Sequence, residues 1–401
     1  MTTISPPVSD IDPFALDVLE SPWEMHATLR ATGPVVYLNR YNVYAMARYE
    51  QVHAALVDWQ SFESGAGVGL TNFRHEKPWR PPSLLLEADP PRHDAPRNVL
   101  ARIIGPRALR SLYDQWCRAA EELVDETLDA DEIEIDAVPQ LAAAFPLRVF
   151  PDAVGLPKEG REHLLPYGGF AFNAFGPRNE LVIDGERDIT GHMAWVNEQC
   201  ARDKLDDVGF GAQIWSAADH FDVSHEQAPL LVRSLLTAGV DTTVNGIAAV
   251  LYAFATNGDQ WQRMRARPTL ARTAFDEAVR WQSPVQTFFR TATADIDLGT
   301  AVVPKGEKIL MFLGAANRDP QRWSDPDRFD LDRDPSGHVG FGMGIHQCIG
   351  QHVARLEATA LLTALVARVE SFELAGPAKV RPNNTLRSWD RLPLRIRRVR
   401  A

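Results

Sequence analysis

Apolar residues recur at helical spacing along most of this chain. Amphipathic stretches stand out at 107–128, 158–175, 190–204, 225–256, 268–282 and 350–370. The last of these carries Val353, Leu356, Ala360, Ala364 and Ala367, with no proline or glycine between Gly350 and Val369. Alternation and turn residues dominate elsewhere. Segment 34–56 reads as two short strands, turning near Asn39–Asn42, and then a helix, while 283–312 and 371–399 are strand-like and turn-rich. The first roughly 20 residues, punctuated by proline, read as extended. The pattern predicts a mainly-α unit over residues 1–401 with a smaller β portion at about 34–60, 283–312 and 371–399, and shows neither a linker nor an internal repeat.

The longest helical pattern opens with a capping box, Ser224 and Gln227, and tolerates Pro229 in its first turn. Running from His225 to Thr256, it would span roughly 48 Å at 1.5 Å per residue. Its halves, "LLVRSLLTAG" and "GIAAVLYAFA", are apolar enough to be buried on nearly every side, yet "GVDTTVN" lies between them. Burying Asp241, Thr242 and Thr243 is costly unless their hydrogen bonds are met. Two compatible readings follow. Thr242 bonds the carbonyl of Ala238 and bends the helix at Gly239. Alternatively, the opened helix holds water, with a carboxylate and a hydroxyl ready to pass protons.

Charge narrows the partners. With 42 Lys+Arg against 53 Asp+Glu the formal net charge is -11, which argues against a broad phosphate-binding surface and against nucleic acid. Cys117, Cys200 and Cys348 are far apart, with no paired zinc spacing and no disulfide framework, as suits a reducing cytoplasm. No basic region followed by an apolar run opens the chain, and no stretch reads as the ~18 apolar residues of a membrane span, so neither export nor a membrane is expected.

One cysteine stands apart. "GFGMGIHQCIGQ" (340–351) places Cys348 in a glycine-rich loop at a helix N-terminus, where the dipole and unpaired N–H groups favour the thiolate, as a nucleophile or a metal ligand. A nucleophile using His346 as base is the weaker reading, since residues so close along the loop do not readily make that geometry and no resolving cysteine is near.

Phe341-Gly-Met-Gly-Ile-His-Gln-Cys348-Ile-Gly350 resembles the F-x-x-G-x-x-x-C-x-G signature of the cytochrome P450 family. "EAVR" (Glu277, Arg280), with Arg328 of "PDRF", resembles that family's buried Glu-Arg-Arg cluster, and "AGVDT" resembles its oxygen-activating helix. The resemblance covers essentially the whole chain. It implies a helix-rich cytochrome P450 fold with small β-sheets, haem b ligated by Cys348 within a loop that includes Phe341 and Gly350, and O2 as co-substrate. It assigns His93, Arg97, Arg290 and His338 to the haem propionates and leaves His346 as loop structure. Asp241 would relay protons, and Thr242 would keep reduced oxygen from escaping as hydrogen peroxide. Electrons would come from a [2Fe–2S] ferredoxin and its NADH-dependent reductase, with Arg102, Arg107 and Arg355 as a basic docking face. A monomer is expected.

The substrate end is also legible. Ser234 lies eight residues before Thr242, a rise of about 12 Å, so a polar anchor sits two turns from the oxygen site. Arg233 is adjacent, and "WRPPSLLL" offers Arg80 and Ser83 beside Leu85 and Leu86; hydroxyls with a nearby arginine suit a carboxylate. These stretches, with "FAFNAFG" and "SPVQTFFR", resemble the family's branch that O-demethylates 4-methoxybenzoate and oxidises other para-substituted benzoic acids. That resemblance implies a carboxylate clamp of Ser83 and Ser234 supported by Arg80 and Arg233, and a slot lined by Phe172, Phe175, Ala238, Val285 and Phe288. Ala171 is smaller than the apolar residue expected there. Another small aromatic or apolar acid is the alternative substrate, and a haem-binding sensor is the alternative that is not an enzyme.

Overall fold

The helices that build the site are α1 (Asp94–Ile103), α2 (Leu164–Asn173), α3 (Ala228–Ala238), α4 (Asp241–Thr256), α5 (Ala271–Gln282) and α6 (Gln351–Arg368). They come from a computed structural model that describes residues 5–299 and 301–400. The capping box forms as expected: Ser224 N–H donates to Gln227 Oε1 (2.9 Å) and Gln227 N–H to Ser224 Oγ (3.2 Å). The long helix is nonetheless interrupted at Gly239 and Val240. A Cβ on Gly239 would lie 2.5 Å from both the Phe150 ring and the Leu235 carbonyl, so only glycine admits this approach. By length and composition the 228–256 run could cross a membrane, a correction to the sequence reading, but 67% of its most apolar window is buried inside the protein, as in a core helix.

α4 packs against α5 and α6, and its residues from Thr243 to Leu251 are buried. α6 keeps its expected bounds but turns a broader face inward. Val353, Ala360 and Ala364 are buried, whereas Ala367 is exposed and Leu356 half-buried; Ala354, Glu357, Ala358, Leu361, Leu362 and Leu365 complete the inner face. Contacts with several elements at once bury more of the helix than one stripe. Helices at Trp23–Thr32, Ala144–Val154, Phe210–Asp219 and Gly258–Ala266 were not read from the pattern, and 190–204 falls largely within Glu180–Glu198. The N-terminal stretch is extended at Val8–Ser9 but helical at Leu16–Glu20; its residues 1–4, and Thr300 of the 283–312 segment, lie outside the described residues.

The β portion gathers distant pieces of chain. Strands β1 (Val8–Ser9), β2 (Val36–Leu38), β3 (Val43–Met46), β4 (Phe62–Glu63), β5 (Thr287–Ala292) and β6 (Lys308–Phe312) form one sheet in the order β1-β2-β3-β6-β5-β4. β3 and β6 are parallel, with Ala45 opposite Leu310, while β5 and β6 are antiparallel, with Arg290 opposite Ile309. A second sheet joins Glu132–Asp136 to Val369–Leu374 and Pro393–Arg398, and Lys379–Arg381 pairs with Ser388–Arg391.

Candidate active site

The 340–350 loop leads into α6. Its closure is set by Cys348 N–H donating to the Phe341 carbonyl at 2.7 Å. Gly344 has φ +67°, and a Cβ there would come within 2.7 Å of the Leu56 carbonyl, which accounts for its glycine. The N–H groups of Gly350 and Gln351 point at the Cys348 sulfur, and Arg97 and Arg355 favour its ionised form, yet burial prevails and pushes the thiol up. The helix terminus alone therefore does not produce a free thiolate. Binding a metal cation would displace the proton.

Imidazoles and arginines surround this loop. His93, at the start of α1, is buried with Nε2 unpartnered, and its ring meets His346 edge-to-face at 4.9 Å. Arg290, on β5, is buried and bonds only the neighbouring Phe289 carbonyl (3.0 Å) among the described residues; burial pushes it down to about 10. Burial also lowers Arg97, while the charge of Cys348 raises it. Buried cations and an orphaned imidazole nitrogen around one sulfur fit a macrocycle that carries anionic arms and a thiolate-seeking iron.

His338 is buried at the start of the same loop. Its ring lies against Phe341 (5.5 Å), its Nδ1 accepts from Gly340 N–H (3.1 Å), and burial together with Arg355 and Arg280 holds it down at about 3. His346, whose ring meets His93, is likewise held below its usual range by burial and bridges Asp89 Oδ1 and the Leu85 carbonyl at 3.0 Å each.

The Glu-Arg-Arg cluster forms with a different second arginine from the one expected. Glu277 and Arg280, both fully buried on α5, make two hydrogen bonds of 2.7 and 2.8 Å. The second arginine is Arg333, whose Nε donates to Glu277 Oε1 at 3.1 Å; Arg328 offers Arg280 only its backbone carbonyl, at 3.1 Å. The basic docking face is also partly spent in internal pairs. Arg102 is bonded to Asp222, and Arg355 to Asp276 (2.7 Å) while lying over the Phe341 ring. Only Arg107 of the three stays exposed without an ion-pair partner among the described residues.

At the interrupted helix, Thr242 Oγ donates to the Ala238 carbonyl (2.8 Å), the bond expected from sequence. Asp241 points elsewhere: Asn245 Nδ2 donates to its Oδ1 (3.1 Å), and it lines a cavity of about 440 Å³ with Arg381, Asn383, His192 and Trp389. Burial pushes Asp241 up to about 6, against the charge of Arg381 and the Asn245 bond. Neither Ala238 nor Thr242 lines that cavity, so the acid and the alcohol face different sides of the helix. Glu357 of α6 was missed. It is fully buried beside Thr243, neither oxygen has a hydrogen-bond partner among the described residues, and burial raises it well above its usual range.

The aromatic members of the proposed substrate set come together. Phe172, Phe175, Val285 and Phe288 pack with Leu86, Val68 and Leu386, the Phe175 ring lying 5.8 Å from those of Phe172 and Phe288. Ala238 is exposed although Leu235, Leu236 and Val240 around it are buried, as a residue facing an internal space would be. Ser83 Oγ accepts from Leu86 N–H (3.1 Å), which leaves its own proton free. Arg233 is buried and donates to the Pro81 carbonyl (2.7 Å), with Arg80 close enough to lower it further. Arg80 is already paired with Glu87 (2.8 Å), though its Nε is unpartnered. Ser234 bonds its own helix at Leu230 (2.9 Å), and Leu85 packs on the main core. Val68 and Leu386 are single apolar residues in irregular segments, and no periodicity marks them.

A glycine-rich loop around a buried cysteine, buried cations and a long helix broken just before an acid-alcohol pair fit a haem-thiolate oxygenase. The chain belongs to the cytochrome P450 family: that family's model matches residues 258–396, and the cytochrome P450 CYP199A2 of Rhodopseudomonas palustris is 55% identical, covering 96% of this chain and 93% of its own. The monooxygenase PikC of Streptomyces venezuelae is 30% identical across 100% of this chain and 97% of its own. Among solved structures, CYP109Q5 from Chondromyces apiculatus superposes with a TM-score of 0.81 at 29% identity, covering 98% and 99%. Cytochrome P450 CREJ in complex with (4-ethylphenyl) dihydrogen phosphate shares the fold at TM-score 0.86 and 23% identity, covering 96% and 98%. The chain is thus a cytochrome P450 monooxygenase, using haem b with a cysteine thiolate ligand and O2.

Proposed function

We propose that this monooxygenase O-demethylates or hydroxylates para-substituted benzoic acids such as 4-methoxybenzoate. The observation that carries the reading is a buried arginine tied to the same segment, 81–86, that packs on an aromatic cluster. Arg233 and Ser83 belong to one connected patch through Pro81 and Leu86, and Leu86 packs directly on the Phe172–Phe175–Phe288 cluster. The Ser83 hydroxyl and the Arg233 guanidinium bind the carboxylate, with Arg80 Nε and Ser234 as further polar contacts; the rings sandwich the arene and present its para-substituent towards Ala238 and Thr242.

Cys348 would hold the haem, with His93, Arg97, Arg290 and His338 as partners for its anionic groups and His346 beside His93. When bound, haem supplies the activation of dioxygen. Asp241 holds a proton at its carboxyl, on the side of the helix that faces the polar cavity, and hands it towards Thr242 by turning about its own side-chain bonds. The net reaction on 4-methoxybenzoate consumes O2, two electrons and two protons, and yields 4-hydroxybenzoate, formaldehyde and water. The electrons come from a [2Fe–2S] ferredoxin and an NADH-dependent reductase, in the cytoplasm.

The test is an optical titration of the ferric holoprotein with 4-methoxybenzoic acid and, separately, its methyl ester. The expected result is a Soret shift to shorter wavelength with the acid alone. Equal shifts with acid and ester would remove the carboxylate clamp, and no shift with either would remove the benzoate reading.

A further inference from the structure

Lys308 opens β6 and is only 6% exposed. Its Nζ donates to two carbonyls of another part of the chain, Ala66 (3.2 Å) and Gly67 (2.7 Å). Gly67 is in a left-handed conformation, φ +97°, and the residues after it have no regular partner strand. They are held by single bonds: Phe289 N–H donates to the Val68 carbonyl (2.9 Å) and Leu70 N–H to the Phe175 carbonyl (2.7 Å). Val68, fully buried, packs in one cluster with Phe172, Phe175 and Leu386.

An amine is an expensive residue to bury here. Burial and the nearby Arg290 push it down to about 7, with Glu63, Glu87 and Glu76 partly offsetting them. Protonated or not, it keeps at least two N–H donors, enough for both carbonyls. An apolar side chain would fill the same space but leave the carbonyl pair without these donors.

We propose that Lys308 is a positioning residue for substrate selection. It pins the 66–68 segment so that Val68 sets the width of the slot, and hence which para-substituents fit. This rests on the aromatic cluster being the substrate slot.

The experiment has two readouts on the holoprotein. The first is the dissociation constant, from the Soret shift, of 4-methoxybenzoate and of the bulkier 4-butoxybenzoate, in the wild type, Lys308→Met, Val68→Ala and the double variant. Lys308→Met should weaken the methoxy acid about fivefold while changing the butoxy acid less than about twofold, and the double variant should be no worse than the weaker single one. The second is amide hydrogen exchange at Val68–Leu70, which should quicken in Lys308→Met with no acid present. A general loss of stability would weaken both acids alike. An unchanged ratio, fully additive effects or unchanged exchange each overturn the proposal. If the wild type binds neither acid, the slot reading falls and takes the selectivity claim with it, while exchange still decides whether Lys308 pins the segment. Should Lys308→Met fail to fold, Lys308→Gln, whose shorter arm cannot reach both carbonyls, goes through the same measurements.

Discussion

Asp241 illustrates how one side chain sets function against stability. Its carboxyl is raised from 3.8 to about 6, first by burial, so between those pH values the folded protein holds a proton that the unfolded chain releases. Stability therefore falls as pH rises through that window, by on the order of 2–3 kcal/mol. Asp241→Asn should melt higher than the wild type above pH 6, and the two melting curves should converge as the pH drops towards 4. Turnover should fall in the same variant, because an amide cannot carry the proton. A melting difference that does not change with pH would mean that the carboxyl is not titrating in the fold.

At the scale of elements, the junction of α3 and α4 is the informative one. The capping box, the apolar halves and the bend at Gly239 were all readable in the sequence, because each is a local rule acting within a few residues. The partner that makes the bend obligatory, Phe150, was not readable, since it comes from a different helix. Gly239→Ala should cost about 1–3 kcal/mol by overpacking against that ring. Combined with Phe150→Ala, it should cost less than the sum of the two single changes in urea unfolding of the holoprotein. α6 shows the converse. Its bounds were legible, but its buried face was not: the inward turn of Glu357 follows from helices packing on several sides at once.

Across the whole molecule, Glu277 acts as a hub. It ties α5 to the irregular 319–336 segment through Arg280, Arg333 and the Asp330 N–H. Taking one partner from a buried ionic cluster typically costs 3–5 kcal/mol, so Arg333→Met should destabilise the holoprotein by about 3 kcal/mol. Exposed Arg328, the residue the motif pointed to, should change stability by no more than about 0.5 kcal/mol when replaced by methionine. Urea midpoints of the two variants, compared with haem content, decide between them.

The sequence by itself determined the cysteine loop, the acid-alcohol break in the long helix and the residue types at the substrate end. Each of these is a short run of contiguous residues whose chemistry depends on local spacing. Only the tertiary structure decided that His346 meets His93, that Arg333 and not Arg328 meets Glu277, that Val68 and Leu386 join the aromatic cluster, and that Asp241 and Thr242 face apart. Those choices depend on distances between residues far apart in the chain, and such distances are set by how the packed helices and the sheet bury their surfaces together.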